Sequence, residues 1–171
     1  MASLPIFITA VANSADEPSF PLLFTWSTHD AEIKEVLVIP DDDWLHSATV
    51  EKNIQDINET QLYEFGYEAG DILAEWTSEF DTDAVYAIQP DELSLLVEAT
   101  FDSKGLEPTF EVLNIFDWFE ERGLDLHNEW ASHGNPTPLE LLPPDEQIAS
   151  LLQIASENGL IEAPEREEDY D

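Results

Sequence analysis

The sequence predicts a mixed-sheet α/β domain, and three observations carry that expectation. Three apolar, strand-like segments follow one another near the N-terminus. Short apolar strands then alternate with segments of helical period. The hydrophobic fraction of 43%, with 9 Phe, 5 Trp and 4 Tyr, is enough to build a core between these layers. A length of 171 residues fits one domain. We read residues 1–161 as that domain and 162–171 as an acidic tail with little to bury, expected to be disordered.

Leu4–Val11 is apolar and partly β-branched, the pattern of a buried strand. Ala12–Ser19 is a turn rich in Asn, Ser, Asp and Pro. Phe20–Trp26 reads as a second strand, and Thr28-His29-Asp30-Ala31 is a connection of hairpin length. Ile33–Ile39 alternates before it enters the core, completing an antiparallel meander that Pro40 and Asp41-Asp42-Asp43 end. Glu59–Phe80 reads as one long helix: Leu62, Phe65, Ala69, Ile72, Leu73, Trp76 and Phe80 recur at steps of three and four, and Asn58 can cap its start. Ala84–Ile88 is a short apolar strand. Pro90-Asp91 opens a helix with Leu93, Leu96, Val97 and Phe101 inward, closed by Gly105. Phe110–Ile115 reads as another strand, and Phe116–Glu121 as a short helix that stops at Gly123. His127 to Pro144 is loop-like. Asp145 is expected to cap a last helix with Ile148, Leu151, Leu152 and Ala155 inward, ending at Gly159.

Charge is the strongest functional signal. The formal net charge is −34, from 39 Asp+Glu against 5 Lys+Arg. Such a chain repels itself, nucleic acid, other acidic proteins and anionic membranes. It attracts cations and basic protein surfaces, of which nucleic-acid-binding surfaces are the most common in a cell. Direct nucleic-acid binding is therefore not expected, and basic patches are absent. With no cysteine, disulfides, thiolate catalysis and Cys-ligated metal are excluded. The N-terminus lacks the basic flank and cleavage site of a signal peptide, and no apolar run approaches the ~20 residues of a membrane span. These features lead to an expected cytoplasmic location, away from membranes. Adaptation to high salt is a second explanation for the acidity, although salt-adapted chains usually trim the large apolar residues that this one keeps.

The element order, with several local phrases, resembles the DEDD-type 3′–5′ exonucleases of the RNase H-like fold. The phrases are Ile6-Phe7-Ile8, Ser19-Phe20-Pro21-Leu22-Leu23-Phe24-Thr25-Trp26, Val38-Ile39-Pro40 before Asp43-Trp44, Val85-Tyr86-Ala87 and Gly105-Leu106-Glu107-Pro108-Thr109-Phe110. The match runs from about Ile6 to Ala155. The resemblance implies an RNase H-like mixed sheet flanked by helices, and a chemistry in which carboxylates hold two divalent metals. Its first two acids fall at Thr9 and Val11, which cannot replace them. The third falls at about Leu93, beside Asp91 and Glu92. The last pair falls at Glu140, where the family has His, and Asp145. The resemblance thus implies a catalytically dead exonuclease-like domain.

Other chemistry finds little support. His127 and His133 lie in a Pro-rich stretch with Glu129 between them, short of the three or four converging ligands that zinc needs. Neither His29 nor His46 belongs to a metal or nucleophile motif. Thr28-His29-Asp30 has no nucleophile elbow. Asp41-Asp42-Asp43 lacks the alternation, Gly and late Glu of a calcium loop. No phosphate-binding G-x-G occurs. No cofactor and no metal are expected.

Along the predicted long helix, Glu64, Glu68, Asp71, Glu75 and Glu79 fall opposite the apolar stripe, with no lysine interleaved. Like charges at this spacing destabilise a helix by a few tenths of a kcal/mol per pair. Residues four apart rise ~6 Å along the axis, the order of the spacing between adjacent phosphates on one strand. The expected function is a non-catalytic acidic protein that mimics nucleic acid and blocks the groove of a basic nucleic-acid-binding protein. By analogy, this is the role of phage or mobile-element inhibitors of CRISPR or restriction defence. The expected contact residues are Glu64, Glu68, Asp71, Glu75, Glu79 and Asp41, Asp42 and Asp43, with Trp44 and Tyr63 as apolar anchors. One alternative is an active exonuclease with displaced acids at Asp16, Glu17, Asp91 and Asp145; another is a salt-adapted pseudo-exonuclease with an unrelated partner.

Overall fold

Alternation of side chains along the first strand divides the core in two. In the computed structural model, which describes residues 5–12, 20–28, 32–39, 59–80, 83–132, 134 and 137–161, Ile6 and Ile8 face one side of a sheet and Phe7 the other, as the period of two requires. The chain is mixed α/β.

Strand β1 (Ile8–Ala12) pairs antiparallel with β2 (Pro21–Ser27), and β2 with β3 (Ile33–Leu37). The register sets Ile8 opposite Trp26, and Trp26 opposite Lys34. Strands β4 (Ala84–Ala87) and β5 (Glu111–Asn114) pair in parallel. A parallel bridge between Phe7 and Tyr86, with the Tyr86 N–H donating to the Ile6 carbonyl at 2.9 Å, sets β4 beside the start of β1. The strands therefore lie side by side as β3-β2-β1-β4-β5. Thr28 closes the β2–β3 connection, its N–H donating to Glu32 O at 2.9 Å.

The helices are α1 (Glu59–Phe65), α2 (Ala69–Glu79), α3 (Pro90–Asp102), α4 (Ile115–Glu120), α5 (Leu126–Ser132) and α6 (Pro144–Glu157), with a 3₁₀ turn at Leu139–Leu141. Helices α2 and α3 bury Ile72, Leu73, Trp76, Leu93, Leu96, Val97 and Phe101 on the face of Ile6, Ile8, Phe24 and Trp26. Helices α4 and α6 bury Ile115, Trp118, Phe119, Ile148, Leu151 and Ile154 with Phe7 on the other face. A smaller cluster joins Leu62 of α1 to Val11, Phe20, Leu22 and Leu23. Trp76 is the hub of the first core. Its ring meets those of Phe24 at 4.9 Å and Phe110 at 5.7 Å, both edge to face, the arrangement ring quadrupoles favour.

Several expectations hold. Pro90 occupies the first turn of α3, where its missing N–H costs nothing. The chain turns away after the same helix at Gly105, φ +68°, with the Leu106 N–H turning back to Phe101 O at 3.0 Å. Others are corrected. Glu59–Phe80 is not one helix: α1 ends at Phe65, Tyr67 forms a bridge with Val38, and α2 begins at Ala69. Phe65 leaves the apolar stripe and is exposed. His127 to Pro144 is not simply loop, because α5 and the 3₁₀ turn lie in it, with Leu126 and Leu139 buried as their anchors. Asp145 is not the cap of α6. Pro143 holds that position without a side-chain bond, and Asp145 sits in the first turn, where a carboxylate still favours the helix dipole. Strand β5 ends at Asn114, whose side-chain carbonyl accepts from Phe116 N at 2.8 Å and caps α4.

No helix among the described residues is long and apolar enough to cross a membrane. The expected roles of Asp16, Glu17, Asp41, Asp42, Asp43, Trp44, Asn58 and the tail 162–171 fall outside the described residues, as do His29, His46 and His133.

Candidate partner-binding surface

Opposite Trp26 on β2, Lys34 projects from β3 toward α2. There it meets two members of the carboxylate row. Its Nζ donates to Glu75 Oε1 at 2.5 Å and also to Glu79 Oε1. The second oxygen of Glu79 accepts from Trp26 Nε1 at 3.0 Å. The hydrogen bond from Lys34 holds the Glu75 carboxyl below the usual carboxylate range. Hydrogen bonds to Glu75 and Glu79 raise the Lys34 ammonium well above its ordinary range. No lysine is interleaved in the row itself, and the relief comes instead across from β3. Lys34 and Trp26 are residues that the sequence pattern did not single out for this surface. The available signal was scarcity, since Lys34 is one of 5 cationic residues and sits on a strand.

The remaining members are arranged differently. Glu64 lies on α1, Glu68 precedes α2, and Asp71 lies in its first turn. All three are exposed. Glu68 occupies the N-cap position, yet its side chain makes no capping hydrogen bond. Because the helix is broken, the five carboxylates do not run along one axis. Only Asp71, Glu75 and Glu79 share a helix, at steps of four and a rise of ~6 Å each.

The break has a local cause. Tyr67 N donates to Leu37 O at 2.8 Å, and Ile39 N donates to Tyr67 O at 2.9 Å, so one residue adds itself to the end of β3. Gly66 permits the approach. A Cβ there would lie 2.2 Å from Leu62 O and 3.0 Å from Ile39 Cγ1.

The positions that resemble exonuclease acids do not converge. Thr9 and Val11 share the side-chain phase of Phe7, whereas Leu93 is packed with Ile6 and Ile8 on the opposite face. Thr9 pairs with Thr25, whose hydroxyl donates to Glu35 Oε2 at 3.0 Å. Asp91, Glu92 and Asp145 are exposed at helix starts. Among the described residues, no group of three or more His, Asp or Glu side chains is placed to hold a metal ion. His127 stacks on Phe116 with ring centroids 4.2 Å apart. The pair lines a half-open cavity of about 480 Å³ beside Glu120, Leu124 and Asp125. Asp125 is already engaged there, its carboxylate accepting from Asn128 N and Nδ2 at 3.2 and 3.1 Å.

No protein-family model matches the chain, and no curated protein matches it.

Proposed function

We propose that this protein is a non-catalytic acidic binding protein that presents carboxylates in place of phosphates. It occupies the cationic groove of a nucleic-acid-binding protein in the cytoplasm and thereby inhibits that protein. The observation that carries this reading is the pairing of a net charge of −34 with a folded scaffold that leaves Glu64, Glu68 and Asp71 exposed around one junction. A disordered acidic chain would pay backbone ordering entropy on binding; carboxylates carried on an ordered backbone do not. Release of counterions from the basic groove drives association, as it does for DNA itself.

The strand order β3-β2-β1-β4-β5, with an antiparallel meander followed by a parallel strand–helix–strand unit, supports the exonuclease-like scaffold as the origin of this surface. Thr9 and Val11 on β1 support its non-catalytic character. The alternative with displaced acids is less well supported, because Asp91 and Asp145 open helices that pack on opposite faces of the sheet.

The test is competition. Partners captured from host lysate are identified by mass, purified, and titrated with the protein in the presence of labelled duplex and single-stranded DNA and RNA. The proposal expects mutual displacement and an affinity that falls steeply with salt. A partner that binds this protein and nucleic acid simultaneously, with no loss of affinity for either, overturns it.

A further inference from the structure

We infer that the junction between α1 and α2 is the anchoring element of the acidic surface, and that its occupant is an arginine-bearing segment of the basic partner. This rests on the reading above and names the chemistry that one part of the surface recognises.

The junction combines three features. First, its backbone is held from both sides. Gly66 N continues the helical ladder to Leu62 O at 2.9 Å, and Tyr67 is tied to Leu37 and Ile39 of the sheet edge. Second, it displays aromatic rings that the core does not use: Phe65 is 62% exposed and Tyr67 52% exposed. A single exposed apolar side chain needs no explanation. Two large rings outward on a locked segment, in a chain whose other phenylalanines described here are mostly buried, mark a contact surface. Third, carboxylates interleave with the rings, in the order Glu64-Phe65-Gly66-Tyr67-Glu68, and both glutamates are exposed.

Charge complementarity selects the occupant. A guanidinium is planar and weakly hydrated. It lies on a ring face while its edge N–H groups bond a neighbouring carboxylate. An ammonium is a compact, strongly hydrated charge and gains less from the ring. The molecule shows the ring half of this arrangement within itself: Arg122 Cζ lies 4.0 Å above the Trp118 ring, while its Nη1 donates to the backbone carbonyl of Trp118 at 2.8 Å. A second copy of this chain is a poor occupant, since each copy carries −34. Rings alternating with anions also match what a nucleic-acid groove normally meets, bases beside phosphates. Because the backbone is already fixed, little ordering entropy opposes the contact.

The test uses octa-arginine and octa-lysine peptides as probes, with affinity measured by fluorescence anisotropy at ~0.1 M salt, where the Debye length is ~10 Å. Octa-arginine is expected to bind more tightly. Phe65→Ala and Tyr67→Ala are each expected to weaken octa-arginine by about two- to fivefold and to leave octa-lysine nearly unchanged. Tyr67→Phe, which keeps the ring, is expected to bind like the parent. Thermal melts check that the variants fold, and Phe65→Leu serves if Phe65→Ala does not. Equal affinity for the two peptides, or ring deletions without effect on octa-arginine, overturns the assignment. If Glu64→Lys, Glu68→Lys and Asp71→Lys together weaken both peptides in that case, carboxylate mimicry stands and only the aromatic anchor falls. If neither peptide binds the parent, both readings fall. Self-association in sedimentation, lost in Phe65→Ala, instead assigns the rings to a second copy and overturns the arginine occupant.

Discussion

Lys34 Nζ lies 2.5 Å from Glu75 Oε1, joining β3 to α2 through the only cation that the row of carboxylates meets among the described residues. The same ammonium also binds Glu79, whose other oxygen holds Trp26 Nε1. The contact relieves two carboxylates of their mutual repulsion, whereas Glu64, Glu68 and Asp71 stay exposed.

Lys34→Met is expected to lower stability by about 1 kcal/mol at neutral pH, a modest figure because side-chain exposures of 37% and 43% leave the pair screened by water. The pH dependence follows from the direction of each shift. Glu75 is depressed in the fold, so its contribution is complete above the ordinary carboxylate value of about 4.3 and is lost as pH falls through its lower folded value. Lys34 is raised, so its contribution is complete below about 10.4 and is lost only at more alkaline pH. Urea melts across pH should show a gap between parent and variant that persists through neutrality and closes in acid below the ordinary carboxylate range. A gap that closes already near pH ~6 would contradict this assignment.

Gly66→Ala and Gly70→Ala form a matched pair. At Gly66 the added Cβ meets backbone, Leu62 O at 2.2 Å, so the junction must shift, at a cost of about 1–3 kcal/mol. At Gly70, in the first turn of α2, it meets only the flexible Lys104 side chain, Cε at 3.4 Å and Cδ at 4.0 Å, an ordinary contact. Alanine there is expected to stabilise by up to about 1 kcal/mol. Thermal melts of the two variants decide, and equal effects would show that the close approach at Gly66 is not tight.

The two core tryptophans are expected to respond differently to Phe. Both are buried, but Trp26 Nε1 bonds Glu79, whereas Trp76 Nε1 has no hydrogen-bond partner. Trp26→Phe leaves a carboxylate oxygen short of its donor; Trp76→Phe removes a donor that was already unpaired. Trp26→Phe should therefore cost about 1–2 kcal/mol more. Denaturation midpoints in the reverse order would mean that the indole of Trp76 carries more packing than the bond of Trp26 is worth.

Reversing carboxylates separates binding from folding. Glu64→Lys, Glu68→Lys and Asp71→Lys together should weaken a basic partner and flatten the salt dependence while leaving the fold intact, since the repulsion relieved offsets the loss of carboxylates from the start of α2. Glu75→Lys should instead destabilise, because it sets a second ammonium against Lys34. Unchanged affinity in an intact triple variant would move the contact elsewhere, with Asp41, Asp42 and Asp43 the next residues to reverse.

No metal-dependent shortening of labelled single- or double-stranded DNA or RNA is expected with Mg²⁺ or Mn²⁺, since Thr9 and Val11 offer no carboxylate on β1. Trimming of a 3′ end that Asp145→Ala abolishes is the result that would reverse this expectation.

The sequence by itself determined the layers. The inward set Leu93, Leu96, Val97 and Phe101 of α3, its opening at Pro90 and its close at Gly105 are local signals, and all are found. So is the strand–strand–strand opening. The tertiary structure alone decided the shape of the candidate surface. The period of three and four runs unbroken through Phe65 and Ala69, so nothing local signals the break at Tyr67 except Gly66. The break is made by hydrogen bonds to Leu37 and Ile39, and the relief of Glu75 and Glu79 by an ammonium on β3. Helical periodicity reports only what a segment does with its own neighbours. Partners distant in the chain enter once the sheet has brought them within reach, and here they turned one helix into two and a bare carboxylate row into a half-neutralised one.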